Sequence, residues 1–368
     1  MNLSDLGWNP YFEAFFEPYR GKGLVPARVS QEHRTLYHIL GEDGDLIAEV
    51  TGKLRHEAES RADFPAVGDW VAVARRENEQ AATIHALLPR RSGFTRKAVL
   101  SGGMPETGGR VDGQVVAANV DTVFLVSGLD LDFNVRRIER YITMSWDSGA
   151  APVVILNKAD ICEDIDEKVA AVEQVAIGAP ILPLSAEQET GLDQLDMYLK
   201  PGATVAFLGS SGVGKSTLIN RLLGEDRIKT QQVRAYDSHG RHTTTYRELY
   251  VLPGRGIVID TPGMRQIQMW TDEEGLSRSF EDIIALIGQC RFSDCRHIDE
   301  PGCAIREGLE NGTLDAGRWK GFVKMQKEVN FLEARKDEKT YRRTLRDWHK
   351  RIHQIQAQRE DLRKKGLL

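Results

Sequence analysis

Residues Gly209 to Ser216 read GSSGVGKS and combine the residue types that hold a polyphosphate. They follow the apolar run ATVAFL and precede the helical run TLINRLL, which is the strand-to-helix context that this pattern requires. Glycines let backbone N–H groups turn inward onto phosphate oxygens, and the helix N-terminus adds a favourable dipole. We expect Lys215 to reach the outer phosphates and Ser216 to bind Mg²⁺. The predicted nucleotide contacts in this segment are Gly209, Ser210, Ser211, Gly212, Val213, Gly214, Lys215, Ser216 and Thr217.

A second loop predicts which base this nucleotide carries. The tetrapeptide NKAD ends at Asp160 and follows the apolar run PVVIL. The Asp160 carboxylate can accept hydrogen bonds from the ring N–H and the exocyclic amine of guanine, a donor pair that adenine lacks. We expect the stem of Lys158 to pack over the base and Asn157 to tie neighbouring loops together. Small residues that close the run PILPL complete the predicted base contacts, which are Asn157, Lys158, Asp160, Ser185 and Ala186.

A third pair of segments is expected to hold the magnesium ion of the nucleotide. The sequence DTPG follows the apolar run GIVI and resembles the acidic box in which Asp260 holds Mg²⁺ through water and the Gly263 N–H senses the γ-phosphate. Upstream, the run GRHTTT supplies Thr244 and Thr245, one of which is expected to complete the Mg²⁺ shell. Threonine runs are also ordinary loop composition. The predicted magnesium ligands are Ser216 and Thr245.

Two residues near these segments bear on hydrolysis. Met264 follows DTPG at the position where Ras-like enzymes have the glutamine that orients the attacking water, so we expect slow intrinsic hydrolysis. His242 precedes the threonines, and its near-neutral pKa suits the positioning of water. A solvent-exposed loop histidine is the alternative interpretation. The candidate catalytic residues are His242 and Lys215.

A cluster of cysteines predicts a metal site of a different kind. Cys290, Cys295, His297 and Cys303 have the spacing C-x4-C-x-H-x5-C and offer the ligand set of a closed tetrahedral zinc site. With no ligand position left for substrate, the zinc is expected to be structural. Unrelated buried thiols beside a surface histidine are the alternative. Cys162 stands apart and is expected to pack in a core.

Two patterns of apolar residues predict the elements that position these residues. Five short apolar runs, separated by turn residues, predict a small all-β barrel of the OB type, which either binds oligonucleotides or serves as a spacer. Later runs alternate with helix-like stretches, which predicts a parallel sheet with helices on both faces. The predicted barrel strands are Leu24–Ser30, Thr35–Leu40, Leu46–Val50, Asp69–Ala74 and Ala82–Leu88. The predicted sheet strands are Val115–Val126, Pro152–Leu156, Pro180–Leu184, Ala203–Leu208, Arg247–Leu252 and Gly256–Ile259.

Charge and composition limit the classes of protein that this chain can be. The chain has 368 residues and a net charge of −5, and its apolar runs are too short to span a bilayer. The N-terminus lacks the pattern of a secretion signal, so we expect a cytoplasmic protein. From Arg318 onwards, 16 Lys and Arg stand against 7 Asp and Glu. This basic segment either binds a polyanion such as rRNA or is a solvated charged helix.

The order of the motifs is unusual for a GTPase. NKAD and Ser185-Ala186 precede the P-loop, whereas ordinary small GTPases place them last, so the set is complete but circularly permuted. A permuted GTPase with an OB-like barrel before it and the CRFSDCRH cluster after it resembles the RsgA family, also called YjeQ or YloQ. The resemblance covers nearly the whole chain. It implies a GTPase that docks on the small (30S) ribosomal subunit and its rRNA, where hydrolysis is stimulated and the factor is released.

The resulting prediction is a multidomain chain, expected to be monomeric, that binds GTP or GDP, Mg²⁺ and one structural Zn²⁺. A GTP-sensing RNA-binding module with little hydrolysis is the main alternative, and Met264 favours it. A P-loop kinase for small molecules is a third interpretation, which NKAD argues against. The predicted segments are an aromatic lead at 1–22, the barrel at 23–100, a linker at 101–113, the GTPase domain at 114–280 and a zinc-binding, basic helical domain at 281–368.

Overall fold

The computed structural model of the chain describes residues 1–33, 35–76, 79–99, 111–225, 247–261, 276–277 and 280–336. Two compact units are formed, Met1–Ile284 and Ala285–Leu368. Among the helices in the described ranges, none is long and apolar enough to cross a membrane.

Five strands in the first unit close into the barrel that the sequence predicts. Their order is β1-β2-β3-β5-β4, and β4 pairs back onto β1 to complete the closure. In β3, Leu46, Ala48 and Val50 alternate with exposed residues, as expected when one face of a strand lines a core. The five strands are β1 Val25–Glu32, β2 Tyr37–Gly41, β3 Gly44–Val50, β4 Trp70–Arg75 and β5 Ala81–Leu87.

The aromatic lead packs on this barrel. A 3₁₀ turn at Leu3–Leu6 is followed by helix α1, Pro10–Arg20, whose first N–H groups are capped by the side chain of Asn9. The Trp8 ring lies edge-on to Trp70 of β4, with 4.7 Å between the ring centroids. The lead therefore contributes to the core of the first unit.

The stretch predicted as one strand, Val115–Val126, is two strands that belong to different sheets. Strand β7 (Val111–Ala118) pairs antiparallel with β6 (Gly93–Val99), and β8 (Thr122–Gly128) enters the main sheet. The break falls at Asn119, whose φ of 55° is a left-handed conformation that no strand continues through. Apolar residues on either side of Asn119, Ala118 and Val120, concealed this turn.

The main sheet carries the nucleotide motifs. Its order is β10-β9-β8-β11-β13-β12, and every neighbouring pair is parallel except β12 and β13. The predicted parallel sheet is therefore wrong at β12, because a turn of Pro253 to Gly256 is too short for a parallel crossover. The strands are β8 Thr122–Gly128, β9 Ala151–Asn157, β10 Ile181–Pro183, β11 Thr204–Gly209, β12 Glu248–Val251 and β13 Ile257–Asp260.

Helices connect and flank these strands. Helix α3 begins after Asn134, whose side chain accepts a hydrogen bond from the Arg137 N–H, and it buries Ile138 and Ile142. After α1, the described residues of the first unit form helices α2 Gly52–Glu57, α3 Val135–Asp147, α4 Ile165–Glu173 and α5 Lys215–Leu223. Short 3₁₀ turns lie at Arg61–Asp63, Ala159–Ile161 and Leu192–Leu195.

Towards the C-terminus, the described residues also form helices α6 Glu281–Ile287, α7 Ala304–Asn311 and α8 Ala316–Lys336. Phe322, Met325 and Val329 on α8 are buried, and their spacing places them on one helical face. The fold class predicted from the sequence is thus confirmed, with a barrel, an α/β domain and a cysteine-containing segment that ends in a long helix. The predicted basic segment begins at Arg318, and its first part, up to Lys336, belongs to α8; residues 337–368 lie outside the described residues.

Candidate functional site

The P-loop lies between β11 and α5, in the context that its sequence predicts. Gly214 has φ of 96°, and a Cβ atom there would lie 2.2 Å from Asn157 Nδ2. A Cβ atom on Gly209 would lie 2.2 Å from the Val126 carbonyl oxygen. Both positions therefore require glycine. The Lys215 ammonium donates to the carbonyl oxygens of Gly209 and Ser210, which holds it over the loop that it is predicted to serve.

Asn157 joins the predicted base-reading loop to the P-loop. Its side chain is buried, its Nδ2 donates to the Val213 carbonyl oxygen at 2.7 Å, and its Oδ1 accepts from the Ala186 N–H at 2.9 Å. One amide thus fixes three loops that lie far apart in the sequence. This contact agrees with the tying function predicted for Asn157.

The proposed guanine-reading carboxylate is held from one side. The hydroxyl of buried Ser185 donates to Asp160 Oδ1 at 2.5 Å and also accepts from the Gln188 N–H. Asp160 itself is exposed. An ionised carboxylate has acceptor capacity beyond one such bond, so the geometry leaves Asp160 able to accept from a base.

Asp260 ends β13 beside the P-loop strand and is buried. Burial raises the pKa of its carboxyl to about 6, the positive charge of Lys215 opposes that rise, and Glu248 adds to it. The neighbouring Thr261 hydroxyl donates to the Phe207 carbonyl oxygen at 2.7 Å and joins β13 to β11. A buried carboxylate near the hydroxyl-bearing start of α5 is the oxygen-rich donor set that Mg²⁺ prefers, so these residues fit the ion.

Four predicted site residues, His242, Thr244, Thr245 and Gly263, lie outside the described residues, as does Met264. Their assignments therefore stay predictions. The described positions Ser211, Gly212, Ser216 and Thr217 lie in the P-loop turn and the first turn of α5.

Two acidic residues of the site were not predicted from the sequence. In the loop between β8 and α3, which we call the β8–α3 loop (residues 129–134), Asp130 Oδ2 accepts from the Lys158 ammonium at 2.6 Å. Asp132 accepts from the Ser210 hydroxyl of the P-loop. Polar residues directly after a buried strand at the carboxyl edge of a parallel sheet are the signal that points to them.

The predicted zinc ligands converge within the second unit. The candidate ligand atoms of Cys290, Cys295, His297 and Cys303 all lie within 4.8 Å of one another. His297 Nδ1 is 3.6 Å from Cys290 Sγ and 3.5 Å from Cys303 Sγ. Zinc bonds of about 2.3 Å to sulfur and 2.1 Å to nitrogen, meeting at a tetrahedral angle, span about 3.6 Å. The cluster therefore fits a tetrahedral metal ion.

The backbone around the cluster also suits a metal ion. His297 has a left-handed φ of 59°, and the Glu300 carboxylate holds its turn by accepting from the N–H groups of Arg296 and Ile298 at 3.0 Å each. Burial opposes ionisation of Cys290, but hydrogen bonds from the Ala304 and Ile305 N–H groups, together with those from Cys295 and Cys303, lower the pKa of the thiol. Cys162 is not part of this cluster and is only half-buried, so its predicted place in a core is wrong.

Comparison with known proteins identifies the kind of protein that carries this site. Residues 87–270 match the family described as RsgA GTPase. A relative from Opitutus terrae, named small ribosomal subunit biogenesis GTPase RsgA, is 48% identical over 370 residues that cover 98% of each chain. A relative of the same name from Syntrophotalea carbinolica is 46% identical and covers 89% of this chain and 90% of its own.

Solved structures agree with these sequence matches. A crystal structure of YjeQ from Thermotoga maritima superposes with a TM-score of 0.60 at 27% identity, over 83% of this chain and 98% of the other. A crystal structure of YloQ, described as a circularly permuted GTPase, has a TM-score of 0.56 at 21% identity over 83% of this chain and 95% of the other, which supports the fold. Similarity of this degree along the whole sequence shows that the chain belongs to the RsgA GTPase family.

Proposed function

We propose that this GTP hydrolase acts in the assembly of the small ribosomal subunit, where it binds the 30S subunit and its rRNA and is released after GTP hydrolysis. The observation that carries the nucleotide part is the Asn157 amide, which joins the guanine-reading loop to the P-loop. The ribosomal part is supported by the names of relatives that match along nearly the whole chain.

In this proposal the nucleotide lies across the carboxyl edge of the main sheet. Asp160 accepts from the guanine ring, the Lys158 stem packs over the base, and Ala186 borders the guanine oxygen. The N–H groups from Gly209 to Ser216 surround the phosphates, and Lys215 neutralises the outer ones. GTP and GDP share most of these contacts, so the γ-phosphate is what distinguishes the GTP-bound protein from the GDP-bound protein.

Mg²⁺, when bound, neutralises phosphate charge and holds the γ-phosphate in place. Ser216 and Thr245 are the proposed direct ligands, and Asp260 acts through water. Gly263 is proposed to report the γ-phosphate to the residues that follow it. In the permuted chain order those residues lead directly into the cysteine-containing segment. A conformational change on loss of the γ-phosphate is therefore proposed to reach that segment along the chain.

Hydrolysis is proposed to depend on a partner. Met264 cannot orient water as a glutamine does, and His242 is the proposed replacement. With His242→Ala, turnover in the presence of small subunits is expected to fall towards the rate of the free enzyme. Unchanged stimulated turnover would remove His242 from the mechanism.

The remaining elements are proposed to bind the subunit. A zinc ion held by the cysteine cluster would fix the start of the second unit, and the basic segment beyond residue 336 would lie along rRNA phosphates. The chain is proposed to work as a monomer in the cytoplasm, where ribosomes are assembled.

One experiment tests the proposal. GTP turnover is measured for the enzyme alone, with small subunits and with large subunits, and Lys215→Ala serves as the inactive control. Stimulation of at least about tenfold by small subunits alone is the expected result, because partner-assisted GTPases gain far more than that. No turnover under any condition would favour a GTP-sensing RNA-binding module, and equal stimulation by large subunits would contradict the choice of partner.

A further inference from the structure

The β8–α3 loop lies between two halves of the proposed nucleotide site. Its strand, β8, is hydrogen-bonded to β9 on one side and to β11 on the other. Strand β9 leads into the base-reading loop and β11 into the P-loop. The residues that follow β8 are therefore placed next to both loops by the sheet order.

Asp130 contacts the base-reading half. Its Oδ2 accepts from the Lys158 ammonium at 2.6 Å, and both side chains are about one quarter exposed. Its Oδ1 accepts from the Asp132 N–H at 3.0 Å, so both carboxylate oxygens are used. Burial raises the pKa of Asp130, but the hydrogen bonds from Lys158 and the Asp132 N–H, together with the positive charge of Lys158, leave the pKa below its usual range. The carboxylate is thus ionised and held in one orientation.

Asp132 contacts the phosphate half. It accepts from the Ser210 hydroxyl of the P-loop, and it forms an ion pair with Arg137 of α3 at 2.8 Å. The loop has further contacts to its surroundings: the Leu129 N–H donates to the Asn157 carbonyl oxygen at 2.8 Å, and the Lys168 ammonium donates to the Leu129 carbonyl oxygen at 3.2 Å. The loop is therefore fixed by four elements before any ligand is present.

The fixed carboxylate of Asp130 reduces the conformational entropy that Lys158 loses when a nucleotide binds. Its stem has four rotatable bonds, and ordering such a side chain removes up to about 2 kcal/mol of conformational entropy. A lysine already held by an acceptor has lost this freedom before the nucleotide arrives, so less binding free energy is spent on ordering it. The left-handed backbone at Lys158, with φ of 69°, fixes the start of the side chain in the same way.

We propose that Asp130 is a positioning residue for guanine nucleotides, which holds Lys158 in the orientation that packs on the base while Asp132 holds the same loop on the P-loop. The inference rests on the proposed guanine-nucleotide site and adds a residue that neither NKAD nor the P-loop contains. Asp130 acts through Lys158 and makes no contact with the reacting phosphates.

In Asp130→Asn, the electrostatic effect and the loss of positioning change the affinity for GDP in opposite directions. Removal of a negative charge near a polyanionic ligand would by itself strengthen binding. Loss of the fixed lysine weakens binding, and only for ligands that carry the base. We therefore expect about fivefold to tenfold weaker GDP binding, while inorganic pyrophosphate, which occupies only the phosphate half, binds no more weakly than to the wild type.

The experiment measures GDP by direct fluorescence titration and pyrophosphate by competition. Asp43→Asn is the matched control, because Asp43 is an exposed aspartate in an ion pair with Arg75 on the barrel. The Asp130→Asn change is repeated in a Lys158→Met background, where the proposal requires its effect on GDP to disappear. The double-mutant comparison keeps its meaning even if one variant is less stable.

Each result of these titrations either supports or overturns the role proposed for Asp130. Unchanged or tighter GDP binding by Asp130→Asn would overturn the proposal, as would equal losses for GDP and pyrophosphate or an undiminished loss in the Lys158→Met background. If the wild-type chain itself fails to bind GDP, the proposed nucleotide site is wrong, and that failure is distinct from a failure of Asp130.

Discussion

The role proposed for Asp160 is that of a single side chain that sets the choice of base. A carboxylate has only acceptors, and guanine presents two adjacent donors on one edge. The hydroxyl of Ser185 donates to one carboxylate oxygen at 2.5 Å, so the carboxylate is oriented by the protein before the base arrives. A neutral amide at this position would present an N–H₂ group towards those donors.

Asp160→Asn is accordingly expected to weaken GDP binding by about 100-fold, since hydrogen bonds to a charged group contribute about 1.5–3 kcal/mol each. Xanthosine diphosphate has a carbonyl in place of the exocyclic amine, so its relative affinity is expected to rise. Fluorescence titration of both nucleotides measures the change. Asp43→Asn, an exposed aspartate on the barrel, is the control and should leave both affinities as they are. Equal losses for the two nucleotides would contradict the assignment.

The proposed role of Asp260 at the magnesium site predicts that magnesium binding depends on pH. Its pKa of about 6 means that the carboxyl is protonated at lower pH, and Mg²⁺ must then compete with the proton. We expect the Mg²⁺ concentration for half-maximal GTP binding to rise as the pH falls below 6 and to level off above it; because Asp260 is proposed to act through water, the rise is expected to be at most about tenfold per pH unit. Nucleotide phosphates titrate in the same range, so the profile needs a variant of the protein for comparison.

Glu248→Gln provides that comparison. Glu248 lies opposite Asp260 in the β12–β13 pair and raises the pKa of Asp260 by like-charge repulsion. Its neutral replacement is expected to move the break in the Mg²⁺ profile to lower pH, while the nucleotide titrates as before. Identical profiles for both proteins would place the titration on the nucleotide alone.

Short sequence patterns predicted the turns and loops whose structure depends on neighbouring residues in the chain. The P-loop, NKAD and the cysteine spacing each specify a turn through neighbouring residues, and their described parts lie where predicted. Asp130 and Asp132 were missed because their contacts depend on β8 lying between β9 and β11, and a sheet order is a long-range property. The turn at Asn119 was missed because apolar residues flank it on both sides.

The cysteine cluster lies between two elements, after α6 and at the start of α7. We expect the purified protein to carry about one zinc ion per chain, and Cys303→Ser, which removes a buried thiol ligand, to lose most of it. Metal analysis of the unfolded protein measures this content. Cys162→Ser is the matched control and should retain zinc, because Cys162 lies outside the cluster. Equal zinc contents for the two variants would contradict the assignment.

Across the first unit, hydrogen-bonded strands connect the barrel to the main sheet. Gln31 of β1 pairs with Glu248 of β12, so hydrogen-bonded strands pass from one to the other. Arg28, which is 2% exposed, donates to the carbonyl oxygens of Leu6, Gly68 and Asn119. Its side chain thereby joins the lead, the barrel and the turn that enters β8. Burial lowers the pKa of Arg28 to about 10, which still leaves it charged at neutral pH.

This continuity predicts that GDP, bound at the carboxyl edge of the main sheet as proposed, also slows hydrogen exchange in the barrel. GDP at 100 times its dissociation constant stabilises the unit to which it binds by about 2.7 kcal/mol, so amides that exchange through unfolding of that unit slow by about 100-fold. We expect β4 of the barrel and β11 of the GTPase sheet to slow alike in hydrogen-exchange mass spectrometry. In Arg28→Met, which removes the donor shared by three carbonyls, the protection of β4 should fall below that of β11. Arg75→Met, an exposed arginine on the same barrel, should keep the two equal. Slowing confined to β11 in the wild type would mean that the barrel unfolds independently of the GTPase sheet.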